Sequence, residues 1–143
     1  TLPGTDAPAS TSAPAPAAPA IELKAIYAED NEVNAELVRE VLKLRPGCEL
    51  RVAPSGEHAL EMGLQEPPDL FLLDMNLGDM TGAELARSLR ADPITAAIPL
   101  VAVSADALPQ QIDAALAQGF EAYLTKPVDF KALLRLLDEA AAR

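Results

Sequence analysis

Glu29, Asp30, Asp74, Ser104 and Lys126 each stand at the end of a short apolar run, and together they carry three carboxylates, a hydroxyl and an ammonium group. Carboxylates about 4 Å apart repel by about 1 kcal/mol in water and about 4 kcal/mol at an intermediate effective dielectric, so if brought together they need a cation. Oxygen-only ligation selects a hard ion. Mg2+, which keeps several waters and takes one or two carboxylates plus phosphate oxygens, fits this set better than zinc or calcium. A carboxylate beside such an ion can attack phosphorus, because the cation neutralises the transferring group while the fold holds attacker and leaving group in line. Asp74 is the natural nucleophile, since it closes the most apolar run, Leu70-Phe71-Leu72-Leu73, and would be held at the lip of a sheet. Lys126 can offer a point charge to one phosphoryl oxygen and Ser104 a hydroxyl to another. Each residue alone has a plainer reading: Glu29 and Asp30 can favour a helix N-terminus, Asp74 can cap a loop, and Lys126 can be a solvated charge. It is the convergence of four strand ends with complementary chemistry that favours the joint reading.

Convergence requires elements that deliver these side chains to one edge. From Ile21 onward, apolar runs alternate five times with helical patterns, the signature of a parallel sheet with crossover helices. The strands are expected at Leu23–Ala28, Glu49–Ala53, Leu70–Asp74, Leu100–Ser104 and Ala122–Thr125, with the third and fourth central and buried on both faces. Val33, Leu37, Val38, Val41 and Leu42 recur at helical spacing, and Pro46-Gly47 stops that first helix. Ser55 sits where an N-cap belongs before a helix over Glu57–Glu66, and Thr81 with Glu84 has capping-box spacing. Pro67-Pro68 and Asp92-Pro93 end those two helices. A fourth helix should run from about Leu108 to Gln118 and close on Gly119 as a left-handed cap, and a fifth carries Phe130, Leu133, Leu134 and Leu137. The expected fold is α/β, a doubly wound, flavodoxin-like (βα)5 sheet with strand order 2-1-3-4-5, in which ligands bind beyond the carboxyl ends of the strands where the order reverses.

Composition bounds the rest. The 143 residues suit one domain, residues 21–143, preceded by a leader over residues 1–20 whose five prolines and seven alanines are linker composition. A net charge of −11 repels phosphate backbones and anionic lipid, so neither nucleic acid nor membrane is an expected partner. Cys48, the single cysteine, reads as a semi-buried thiol in a reducing compartment, which places the chain in the cytoplasm. His58, the single histidine, excludes sites that need several imidazoles, and it reads as a solvated helix residue.

The motifs now assembled resemble the receiver domain family of two-component response regulators and hybrid histidine kinases, over essentially Ile21 to Ala142. Ala28-Glu29-Asp30-Asn31 with Asn34 looks like the family's acidic pair and asparagines, and the run from Leu72 to Gly82 looks like its phosphoacceptor loop. Val103-Ser104-Ala105 and Tyr123-Leu124-Thr125-Lys126-Pro127 complete the set. The resemblance implies a phosphoacceptor signalling domain rather than a conventional enzyme, one that catalyses its own phosphorylation and dephosphorylation. Asp74 would take the phosphoryl group from a histidine kinase or histidine phosphotransfer domain, docked near the first helix. Asp30 would bind Mg2+ directly, Glu29 largely through water, and the backbone carbonyl of Asn76 would add a ligand. Ser104 and Lys126 would hold phosphoryl oxygens, Asn76 and Asp106 would tune dephosphorylation, and the Lys126-Pro127 bond would be cis. Ser104 drawn toward the phosphoryl group would open space for Tyr123 to turn inward, making helix four, strand five and helix five the output face and a possible homodimer surface.

Two departures from the family pattern stand out. Gly78 replaces a common proline, which should loosen the acceptor loop, and Glu29 replaces the commoner aspartate, whose shorter arm would set the metal's water shell differently. The leader suggests the C-terminal receiver of a hybrid kinase, with a free-standing regulator as the alternative. Two other readings stay open: a receiver-like docking module that is never phosphorylated, and a phosphatase of the haloacid dehalogenase type. The phosphatases generally place a second aspartate where Asn76 stands.

Overall fold

The computed structural model describes residues 22–142. The proposed leader over 1–20, with Ile21 and Arg143, lies outside them. Five parallel strands alternate with five helices: β1 (Leu23–Ala28), α1 (Glu32–Leu42), β2 (Cys48–Ala53), α2 (Gly56–Gln65), β3 (Leu70–Asp74), α3 (Gly82–Ala91), β4 (Leu100–Ser104), α4 (Pro109–Ala117), β5 (Ala122–Thr125) and α5 (Phe130–Ala141). The sheet order is β2-β1-β3-β4-β5, the doubly wound arrangement expected from the sequence. None of the described helices is long and apolar enough to cross a membrane.

Strand periodicity divides the core in two, because successive side chains leave a strand on opposite faces. Ile26, Phe71, Leu73 and Ala102 turn to one face and pack with Leu85, Leu89 and Phe120. Tyr27, Leu72, Val101 and Val103 turn to the other and pack with Val38, Val41, Leu133 and Leu137. Burial on both faces explains why β3 and β4 read as unbroken apolar runs, and β1 is enclosed in the same way beyond its exposed Lys24. Arg45, just beyond α1, clasps Asp138 of α5 with two hydrogen bonds of 2.8 and 2.9 Å and ties the helices of that face together.

Helix boundaries follow local chemistry. Asn31, Ser55, Thr81 and Asp129 cap α1, α2, α3 and α5 by accepting first-turn N–H groups, and Thr81 with Glu84 completes the expected capping box. Gly119 has φ 105°, with its N–H on the Leu116 carbonyl and the Phe120 N–H on the Ala115 carbonyl. This is a Schellman ending, and buried Phe120 and Ala115 share the same apolar cluster. Two apolar positions behave differently from the stripe assigned to the first helix. Val33 is 68% and Leu37 45% exposed, and the buried stripe of α1 is Ala35, Val38, Val41 and Leu42. Phe130, in the first turn of α5, is exposed as well, so Leu133 and Leu137 carry that helix's packing. Cys48 is half-buried, and burial pushes its thiol up to about 11; His58 is exposed on α2.

Candidate functional site

Sheet register alone brings the chemistry to one rim. Ala28 pairs with Leu73, Asp74 with Val103, and Ser104 with Thr125, so Glu29 and Asp74 leave the carboxyl edge at one level, Ser104 one residue beyond them and Lys126 two. The order reverses between β1 and β3, where the first of these strand ends meet. A cleft of about 640 Å3 opens there, lined by Glu29, Asp30, Asp74, Asn76, Ser104 and Lys126 among others.

Asp74 is buried, with 4% of its surface exposed. Its Oδ1 accepts the Asn76 N–H at 3.0 Å and its Oδ2 accepts Lys126 Nζ at 3.1 Å. The same ammonium lies 2.9 Å from Glu29 Oε1, so one cation bridges two acids. Asp30 is exposed at the mouth, and one oxygen each from Glu29, Asp30 and Asp74 fall within 4.8 Å of one another. Burial and the neighbouring Glu29 push the Asp74 carboxyl above the ordinary carboxylate range. Burial also opposes the charge on Glu29, but the donors Lys126 and Tyr27 outweigh it and hold that carboxyl low. Lys126 loses some preference for its charge through burial and regains more from the two acids, so its ammonium is held above its usual value. Three acids against one lysine leave an excess of negative charge on hard oxygen donors, a donor set that fits Mg2+.

The remaining expected residues are present at the rim in varied states. Ser104 lines the cleft, and its Oγ accepts the Asp106 N–H at 3.1 Å. Asp106 lines the cleft and spends a carboxylate oxygen on the Leu108 N–H, at the start of α4. Tyr123 is half-buried at the cleft wall, its hydroxyl donating to the Asp106 carbonyl at 2.7 Å. The Lys126-Pro127 bond is cis.

Two contributors escaped the sequence reading. Tyr27 is fully buried and its hydroxyl donates to Glu29 Oε1 at 2.7 Å. The signal was its spacing, because residues two apart on a strand share a face. Asp79 in the acceptor loop accepts the Gly56 and Glu57 N–H groups at 2.9 and 3.1 Å and so latches the loop to the start of α2. That contact crosses more than twenty residues, and no local pattern announces it. Asp79 and the Asn76–Thr81 bridge fasten the loop around Gly78, the position where the sequence leaves the backbone more freedom. Gly82 is the glycine that the loop requires, since a Cβ there would sit 2.8 Å from the Asp74 carbonyl oxygen and from Met75 Cα.

Comparison with known proteins agrees with this geometry. Residues 25–138 match the response regulator receiver domain family. The polar-differentiation response regulator DivK of Brucella ovis is 35% identical over 100 residues, which cover 70% of this chain and 80% of that one. A putative response regulator from Chloroflexus aurantiacus superposes with a TM-score of 0.78 at 28% identity, over 85% of this chain and 99% of the other. The receiver domain of a sensor histidine kinase from Pseudomonas aeruginosa superposes with a TM-score of 0.76 at 25% identity, over 85% and 99% of the two chains, and carries a magnesium ion in its active-site cleft.

Proposed function

Because the chain belongs to the response regulator receiver domain family, we propose that it is a phosphoacceptor, taking a phosphoryl group from a phosphohistidine donor onto Asp74 in a magnesium-dependent reaction. The observation that carries this reading is a buried aspartate, fixed at both oxygens by Asn76 N–H and Lys126 Nζ, beside two further acids at the sheet's switch point. Asp30, Asp74, the Asn76 carbonyl and, largely through water, Glu29 would hold Mg2+. When bound, that ion supplies positive charge against the phosphoryl oxygens.

The protein's own groups do the rest. β3 and the Asn76 N–H aim the Asp74 carboxylate, so its approach to phosphorus needs little reorganisation. A carboxylate oxygen of Asp74 forms the new bond to phosphorus as the bond from phosphorus to the donor's imidazole nitrogen breaks and the electron pair leaves with the imidazole. Lys126 follows the incoming charge from Asp74 Oδ2 to a phosphoryl oxygen, and Ser104, giving up the Asp106 N–H, donates to another. Movement of Ser104 alters the loop on which the Tyr123 hydroxyl rests, which connects the site to α4, β5 and α5 as the output and possible dimer face. Asn76 and Asp106 flank the cleft and would tune access of the hydrolytic water. The donor is proposed to be a histidine kinase or histidine phosphotransfer domain docking beside α1, where Val33 and Leu37 are exposed. The chain is read as a cytoplasmic signalling domain that assists its own phosphorylation and dephosphorylation, within a hybrid kinase or as a free-standing regulator. Phosphotransfer from a phosphorylated kinase to the parent and to Asp74→Asn, with and without Mg2+, tests the proposal. Labelling of the parent alone is expected, and undiminished labelling of the variant would remove Asp74 from the reaction.

A further inference from the structure

We propose that Tyr27 is a positioning residue for the metal seat, acting through its hydroxyl on Glu29 to hold the longer acidic arm in the place where it serves the cation. The inference rests on the magnesium-dependent phosphoacceptor reading above and adds to it a residue outside the motifs that carry that reading.

Side chains two apart on a strand share a face, so Tyr27 lies directly behind Glu29. Its ring is fully buried in the cluster that includes Val38, Leu72, Val103 and Leu133, and only the phenolic oxygen has work other than packing. That oxygen donates to Glu29 Oε1 at 2.7 Å, where Lys126 Nζ also sits at 2.9 Å. Glu29 Oε2 accepts the Asn31 N–H at 3.2 Å. The carboxylate, wholly enclosed, is therefore gripped from three sides, which fixes the extra torsion that glutamate has over aspartate. The shared oxygen has a further consequence. When Lys126 turns toward a phosphoryl group, Tyr27 stays on Oε1, so the buried carboxylate keeps a donor throughout the cycle. A phenylalanine would fill the same space and supply none of this.

Without the hydroxyl, Glu29 must be ordered at the moment the ion binds. Immobilising one such side chain corresponds to a loss of about two- to tenfold in affinity. The test is calorimetric titration of Mg2+ into the full chain, its Tyr27→Phe variant, its Glu29→Asp variant and the double variant. Tyr27→Phe should weaken Mg2+ binding by about two- to tenfold in the parent and by less than about twofold in the Glu29→Asp background, because the shorter arm falls a methylene short of the hydroxyl. A general structural role would weaken both backgrounds equally, and that result overturns the proposal. So does unchanged affinity of Tyr27→Phe in the parent, which leaves the phosphoacceptor reading intact. A parent that binds no Mg2+ defeats that reading first and this inference with it.

Discussion

Removing the positive charge of Lys126 should destabilise the metal-free protein sharply. Its ammonium lies 2.9 Å from Glu29 and 3.1 Å from Asp74, and the carboxylates are almost fully enclosed while the lysine side chain is 18% exposed. Each contact is worth about 5 kcal/mol in gross Coulomb attraction at an effective dielectric of about 20. Desolvation cancels most of that, and removing one partner of a buried pair costs about 3–5 kcal/mol net. The lysine's residual exposure discounts the loss to about 2–4 kcal/mol. Lys126→Met keeps much of the stem's packing and deletes the charge, so the loss is electrostatic. For a domain of this size it should lower Tm by about 6–15 °C. Mg2+ should recover part of the deficit, because it meets less competing positive charge in the variant and binds there more tightly, and a tenfold lower Kd narrows the gap by about 1.4 kcal/mol at saturating ion. Thermal melts of parent and variant in chelator and in excess Mg2+ make the comparison. A variant that melts within about 2 °C of the parent in chelator, or whose deficit does not shrink with Mg2+, would refute the reasoning.

The other expectations concern neighbouring parts of the site. Asp74 is held above its ordinary value by burial and by Glu29, so the folded state keeps a proton that the unfolded chain has released, and its contribution to stability falls as pH rises from the usual carboxylate value through the raised one. Asp74→Asn abolishes that loss: in metal-free urea titrations it should be more stable than the parent at neutral pH, with an advantage that shrinks on acidification. A constant difference across pH would contradict the assignment. Gly82→Ala places a methyl against the Asp74 carbonyl and Met75 Cα, and overpacking against backbone should cost about 1–3 kcal/mol with slower phosphorylation; normal stability and labelling would show that the loop yields. Thr81→Ala removes half of a capping box and should lose about 1 kcal/mol by urea denaturation, while no loss would mean that the box contributes nothing.

Legibility in the sequence followed the range of the interactions. β3 and β4 were plain because burial on two faces demands an unbroken apolar run, and the Schellman ending at Gly119 because a positive φ favours glycine. The strand-end acids and Lys126 were found because the fold rule places strand termini together, and the cis Lys126-Pro127 bond because the motif resembles a known family. Val33 and Leu37 misled because an apolar period cannot say which edge of a wide stripe meets the core. Asp79 was invisible because its partners belong to a helix far back in the chain, and Tyr27 because an aromatic in a strand reads as packing until its hydroxyl is seen to have a buried acceptor. Asp106 shows the reverse: the motif marks the position, and only the structure shows its carboxylate turned to the Leu108 N–H.

The most direct test of the central claim is to map the modified residue. The chain is incubated with a small acyl-phosphate donor and Mg2+, the labile adduct is trapped by borohydride reduction, and peptides are read by mass spectrometry. One modification is expected, on the peptide containing Asp74, and it should be absent when the metal is chelated. A modification on another side chain, or the same yield without divalent ion, would contradict the account.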